Sequence, residues 1–220
     1  MNKNMYKIIK EQFNINDLDF SDDVGYMNNS IFSKDFIHPY YDKILNNTIT
    51  ADEIKKLNGG VAVTKAKNYE ELKKIADYYS KNFPNDSLNW LDVSEITDMS
   101  YIFSGDNFEN IYNAYNGDIS KWNVSNVLNM EGMFMSSKFN GDISEWDVSN
   151  VENMKYMFDN SLFNSDISHW DVSNVSEMDS MFYKSKFNKD ISKWNISNAC
   201  WMSSMFAYSD FNQDISQWQL

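Results

Sequence analysis

The chain has 220 residues, 42% hydrophobic and 16% aromatic, enough apolar surface to argue against a disordered chain. Its formal net charge is −13 and its 19 basic residues are all lysine, so the basic footprint and paired arginines of direct nucleic-acid binding are missing. No stretch approaches the roughly 20 apolar residues of a membrane-spanning helix, so no membrane insertion is expected, and the single cysteine, Cys200, excludes an intrachain disulfide.

Residues 1–17 begin with lysines but have no apolar run or small-residue cleavage site. No signal peptide is expected, and a cytoplasmic location is favoured. The cell surface is the expectation if a leader has been removed. A helix is predicted over 3–13, an acidic irregular stretch over 14–34, and helical turns near 35–46, with Pro39 early in them where proline is tolerated. Thr50 before Ala51-Asp52-Glu53-Ile54 resembles a capping box that starts a short helix, and Gly59-Gly60 ends it. Residues 61–64 read as a strand. Asn68 caps a predicted helix over 69–83, with Leu72, Ile75, Ala76 and Tyr79 on one face and Pro84 as its stop.

From there the chain repeats. Tryptophan recurs every 24 residues, at Trp122, Trp146, Trp170, Trp194 and Trp218. EWDVSNVENMKYMFDNSLFNSDIS is followed by HWDVSNVSEMDSMFYKSKFNKDIS on the same pattern. Four regular repeats span 122–145, 146–169, 170–193 and 194–217. A first, atypical repeat occupies 91–117, in which Leu91 takes the tryptophan place and Met99 the first methionine place. It carries a longer stretch containing Tyr112 and Tyr115. A fixed period of this length means that each unit buries its apolar face against its neighbours.

Within a unit, Ile143 to Val148 reads as a short extended segment, Ser149-Asn150 as a cap, and Val151, Met154, Met157, Phe158 and Ser161 as one face of about two helical turns. A 24-residue strand-plus-helix unit falls in the leucine-rich-repeat range. The expected fold is therefore an α/β repeat, a leucine-rich-repeat-like solenoid with a mainly helical N-terminal region and cap. The expected division is 1–68, of unknown role, and 69–220, the capping helix with the repeats.

The runs W-D-V-S-N-V, M-x-x-M-F and F-N-x-D-I-S resemble those of the bacterial surface-protein repeat family, BspA-like relatives of the leucine-rich repeats. Tyr69 to Ile75 followed by Leu88 to Ser94 is similar to that family as well, so the resemblance runs from Tyr69 to the end. It implies a right-handed solenoid used for binding, commonly in surface or secreted proteins.

The repeated residues read as packing. Met130/Met133, Met154/Met157, Met178/Met181 and Met202/Met205 could suggest a soft-metal or haem site, but their spacing beside phenylalanine fits stacked core. Asp118, Asp142, Asp166, Asp190 and Asp214 form an acidic ladder. Calcium-binding repeats are Gly-rich nonapeptides, so these aspartates read as turn caps, and no metal or cofactor is expected. His38 and His169 are the two histidines, and no nucleophile elbow, P-loop, zinc spacing or dinucleotide fingerprint occurs, so no catalytic residue is expected.

Specificity in a repeat array must come from what differs between units. One variable row is Lys121, Glu145, His169 and Lys193. A looser set of aromatics, Tyr156, Tyr183, Trp201 and Tyr208, either anchors an interface or covers gaps between units. The expected function is non-enzymatic binding of a protein partner, which the acidic surface would suit to a basic one. The alternative is an acidic inhibitor or nucleic-acid-mimicking decoy, phage- or mobile-element-encoded. Nothing in the residues fixes the oligomeric state.

Overall fold

The computed structural model of the chain describes residues 64–106 and 111–218. Apart from Thr64 these belong to one compact unit, Lys65–Leu220. The elements expected over 3–13, 14–34, 35–46 and 50–63, and His38, lie outside the described residues.

Strand β1 (Thr64–Lys65) pairs with β2 (Leu91–Asp92), and helix α1 (Tyr69–Asn82) lies between them in the chain. The helix starts where its cap demands. Asn68 is extended, and its side-chain oxygen accepts from the Glu71 amide at 2.9 Å. Glu70 and Glu71 place negative charge on the positive end of the helix dipole. Leu72, Ile75, Ala76 and Tyr79 are buried along one face. Phe83 closes the helix with its amide on the Tyr79 carbonyl, one residue before Pro84.

Beyond Asp92 the described residues hold neither the helix nor the strand that the spacing predicts in each unit. The Met-x-x-Met-Phe segment is instead a chain of tight turns. Alternate amides leave the coil altogether. Met154, Tyr156, Phe158 and Asn160 donate to the carbonyls of Glu177, Asp179, Met181 and Tyr183 in the next repeat, at 2.7–3.0 Å. The amides between them, Met157, Asp159 and Ser161, turn back onto the residue three before. A helix would need both sets for its own i−4 carbonyls. Tyr156 and Asn160 also have φ of 57° and 51°, in the left-handed region that a continuous right-handed helix forbids. The apolar spacing only requires those side chains to reach the interior, and chained turns satisfy it.

The same four forward bonds recur between every pair of neighbouring repeats from Met99 to Lys184. Trp146 and Val151 sit in turns closed on Ile143 and Val148, so the extended segment expected there is absent. The parallel pairing falls later, as single bridges linking Asn129, Asn153, Glu177 and Trp201 in one column.

Three columns of rings fill the interior. Trp122, Trp146, Trp170 and Trp194 are each 4% exposed, and the Trp122 and Trp146 rings stack at 6.4 Å. Every indole in the series donates to a carbonyl of the preceding turn, as Trp170 does to Ile143 at 3.0 Å. Phe103, Phe134, Phe158, Phe182 and Phe206 stack at 5.6–5.8 Å. Phe139, Phe163, Phe187 and Phe211 form the third column, and Tyr115 heads it from the long stretch of the first repeat. The methionines between these columns are core: Met130, Met133, Met154, Met157, Met178 and Met181 are fully buried.

Candidate functional site

The polar residues that never change between repeats are engaged in holding the coils. Each aspartate of the ladder accepts from the amide of the serine two residues on: Asp118 from Ser120, Asp142 from Ser144, Asp166 from Ser168, Asp190 from Ser192, and Asp214 from Ser216, at 2.8–3.0 Å. Those bonds favour the charged form. At Asp142, Asp166, Asp190 and Asp214 the serine amide, then its hydroxyl, hold the carboxyl below its ordinary range. At Asp118 burial opposes the shift most strongly, and the Ser120 amide and hydroxyl, the Asn89 side chain and the Lys121 charge together outweigh it.

Asparagine ladders run alongside. The Asn116 side-chain oxygen accepts from the Asn140 amide, Asn140 from Asn164, Asn164 from Asn188, and Asn188 from Asn212, at 2.7–3.0 Å. A second ladder sends the side-chain amides of Asn150, Asn174 and Asn198 to the carbonyls of Ser125, Ser149 and Ser173. Sequence reasoning did not single out Asn164. Its recurrence in every unit was the available signal, since a loop asparagine with no partner in the next coil need not repeat.

The variable row stands apart from this network. Lys121, Glu145, His169 and Lys193 are all exposed, one to a repeat, each immediately before a buried tryptophan. The row borders the acidic ladder. His169 and Lys193 line a shallow cleft of about 420 Å³ together with Asp166, Ser168, Lys189 and Asp190. This strip alternates fixed carboxylates with a changing residue.

The four aromatics do not form one cluster. Tyr183 and Tyr208 meet edge to face, their ring centres 5.6 Å apart, with Tyr208 82% exposed. Trp201 is 61% exposed at the end of the bridge column, where the other units carry Asn129, Asn153 and Glu177. Tyr156 is half-buried, with the Lys155 ammonium 5.1 Å from its ring centre, and Lys184 lies at the same distance from Tyr183. One titrating group is out of place. Asp159 is buried in the column that holds Met135, Tyr183 and Ala207, and burial pushes its carboxyl up to about 6 against the pull of Lys184.

Cys200 is exposed. Among the described residues no group of three or more His, Cys, Asp or Glu side chains is arranged to hold a metal ion. Nor is any described helix long and apolar enough to cross a membrane.

The family model described as "Mycoplasma protein of unknown function, DUF285" matches residues 70–183 and, overlapping, 138–220. Together the matches span α1 and the whole series of coils, more than half of the chain. The chain belongs to this family. No curated protein and no solved structure matches. The DUF285 match takes in the exposed row, the aromatics and the asparagine ladders alike.

Proposed function

We propose that the chain is a non-enzymatic binding module that engages a protein partner through the variable positions of a rigid repeat array. The observation behind this reading is the exposed row Lys121, Glu145, His169 and Lys193, which changes from unit to unit beside a ladder of aspartates that does not. The ladder aspartates are occupied by their serine amides. The Lys121 amide donates to the Asn89 side chain, but the exposed side chains of the row are free to set specificity. The pairing of Tyr183 with Tyr208 supplies an apolar anchor of the kind that dominates interface energies. The array itself is a solenoid of the right-handed, BspA-like leucine-rich-repeat kind, displayed for recognition. The repeat length and the sequence resemblance support that finer placement.

The test is capture from a lysate with the full chain, at low and at high salt, followed by identification of the retained protein. The bait is compared with a variant in which Lys121, Glu145, His169 and Lys193 are all alanine, and with Tyr183→Ala/Tyr208→Ala. A partner lost by either variant at unchanged melting temperature supports the reading. A partner kept by both sinks it. Loss of the wild-type partner in high salt alone, with both variants still binding in low salt, favours an acidic decoy instead.

A further inference from the structure

The strip made by the aspartate ladder and the variable row is not uniformly acidic. Asp142, Asp166 and Asp190 stand on it one to a coil, beside Glu145, His169 and Lys193, and all six are exposed. The cleft at the ends of the second and third regular repeats brings His169, Lys189 and Lys193 together with Asp166 and Asp190. By the 24-residue period, its equivalent one coil earlier is made by Asp142, Glu145, Asp166 and His169, with Ser165 where Lys189 stands. One place sets two lysines and a histidine against two carboxylates. The other holds three carboxylates and no lysine. The strip thus passes from strongly acidic at Glu145 to charge-balanced at Lys193, in the middle of the array.

The charges of the cleft are not paired with one another. Asp166 and Asp190 accept from the amides of Ser168 and Ser192, each at 2.9 Å. After the serine bonds, His169 and Lys189 also draw the Asp166 carboxyl down, and Lys193 that of Asp190, which sets the cations beside the ladder. Among the described residues neither the Lys189 nor the Lys193 ammonium makes an ion pair or a hydrogen bond, whereas those of Lys65, Lys73 and Lys186 pair with Glu95, Asp77 and Asp210. An ammonium offers three donors and no acceptor, so two of them lining one cleft suit an incoming carboxylate, to which such bonds are charge-assisted.

We propose that the strip binds an extended segment of the protein partner that carries both charges: a basic side chain against Asp142, Glu145 and Asp166, and an Asp or Glu carboxylate in the cleft, on Lys189 and Lys193. The inference rests on the row being the binding surface proposed above, and adds the partner's charge order to it. A net charge of −13 by itself favours a purely basic partner. The cleft opposes one, because a second cation there meets two ammonium groups. A purely acidic segment meets three carboxylates one coil earlier. Spacing narrows the segment further. Glu145 and Lys193 are two coils apart, roughly 10–13 Å if a coil advances between about 4.8 Å, as in paired chains, and the 6.4 Å of the Trp122–Trp146 stack. An extended chain covers that distance in about four residues, and residues four apart lie on the same face of it.

The experiment adds glycine-serine peptides, blocked at both ends, to the isotope-labelled full chain and follows its amide signals by NMR. One peptide carries Lys and Glu four residues apart, one carries Lys at both places and one Glu at both. Saturable shifts over 142–145, 166–169 and 189–193 are expected, with the mixed peptide binding roughly fivefold more tightly than the Lys-only one, the scale of two exposed ion contacts. Lys189→Gln/Lys193→Gln should remove that preference. Glu145→Lys, at the other end of the strip, should weaken the mixed peptide by a similar factor, and serves if the lysine pair lowers the melting temperature. Binding of the Lys-only or the Glu-only peptide as tight as that of the mixed one, absence of saturable shifts, shifts confined to other residues, or a preference that survives both variants overturns the proposal. If that happens while the captured partner is still lost on alanine substitution of the row, the charge order falls and the proposed function stands.

Discussion

Removing Trp170 separates a stacked interior from a merely repetitive surface. Its ring lies mid-array, is 4% exposed, tilts against Phe158 at 6.4 Å, and donates to the Ile143 carbonyl at 3.0 Å. An indole of this kind hides about 200 Å², worth about 5 kcal/mol at about 25 cal/mol per Å². Trp170→Ala should therefore cost about 3–5 kcal/mol, the range of large aromatic truncations in cores. Trp170→Phe keeps most of the area and loses the indole bond. The Ile143 carbonyl retains the Trp146 amide, so no buried acceptor is orphaned and the cost should be about 2 kcal/mol. Trp218→Ala, half-buried in the last described turn, should cost roughly half as much as Trp170→Ala, because a repeat at the end has one neighbour only. Urea denaturation of the three variants and the wild-type chain reads all three numbers. A loss below about 1 kcal/mol at Trp170, within the range of surface substitutions, or equal losses at Trp170 and Trp218, would refute the spine.

Three further outcomes are expected. Asn164→Ala strips the Asn188 amide of its acceptor and should lower stability by about 1 kcal/mol, while Asn164→Asp keeps an acceptor and restores it; thermal melts that rank Asp no better than Ala would break the ladder argument. Asp159 has a folded value of about 6 against an ordinary 3.8, so its ionisation opposes folding: stability falls as pH rises between those values, by roughly 3 kcal/mol at about 1.4 kcal/mol per pH unit. Asp159→Asn should thus stabilise at pH 7 and not at pH 4, and equal melting shifts at the two pH values would contradict the buried carboxyl. The ladder aspartates have the opposite sign, their stabilisation being present above 3.8 and lost as pH falls below it. Because serine amides already satisfy them, melting midpoints with chelator and with excess calcium should coincide, and a calcium-dependent rise would reassign these carboxylates as ligands.

Helix α1 was legible because its signals are local. Asn68 can cap only a helix on its C-terminal side, Pro84 can only stop it, and the 3–4 spacing from Leu72 to Tyr79 has one reading for a segment of that length. The tryptophan interior was legible from recurrence alone. The turn ladder was not. Its hydrogen bonds join residues a whole repeat apart, and no local propensity announces a tyrosine or lysine with positive φ, such as Tyr156 or Lys184. Within one unit, the spacing of Val151, Met154, Met157 and Phe158 is the same for a helix and for consecutive turns. Tyr115 was noticed only as part of an insertion, because its place at the head of the third ring column depends on a backbone detour that shifts it out of phase. At the candidate site, the division into constant and changing positions was readable. The grouping of the aromatics was not, since Trp201 and Tyr208 are exposed by their place in the last repeat and not by their neighbours in sequence.

The hydrogen bonds between coils recur at the same places in each unit, which makes the internal units interchangeable. A 24-residue segment cut from the middle, or copied into it, meets the same donors above and the same acceptors below as the segment it joins. Gain or loss of a whole unit in the gene changes the length of the array and the pattern of residues beside its tryptophans. It leaves α1 as it was. A change of 23 or 25 residues would throw three ring columns and two asparagine ladders out of phase at once. The chain can thus vary in whole units, and a partial insertion is accommodated where it loops out between the ring columns, as the stretch containing Tyr112 and Tyr115 does in the first repeat.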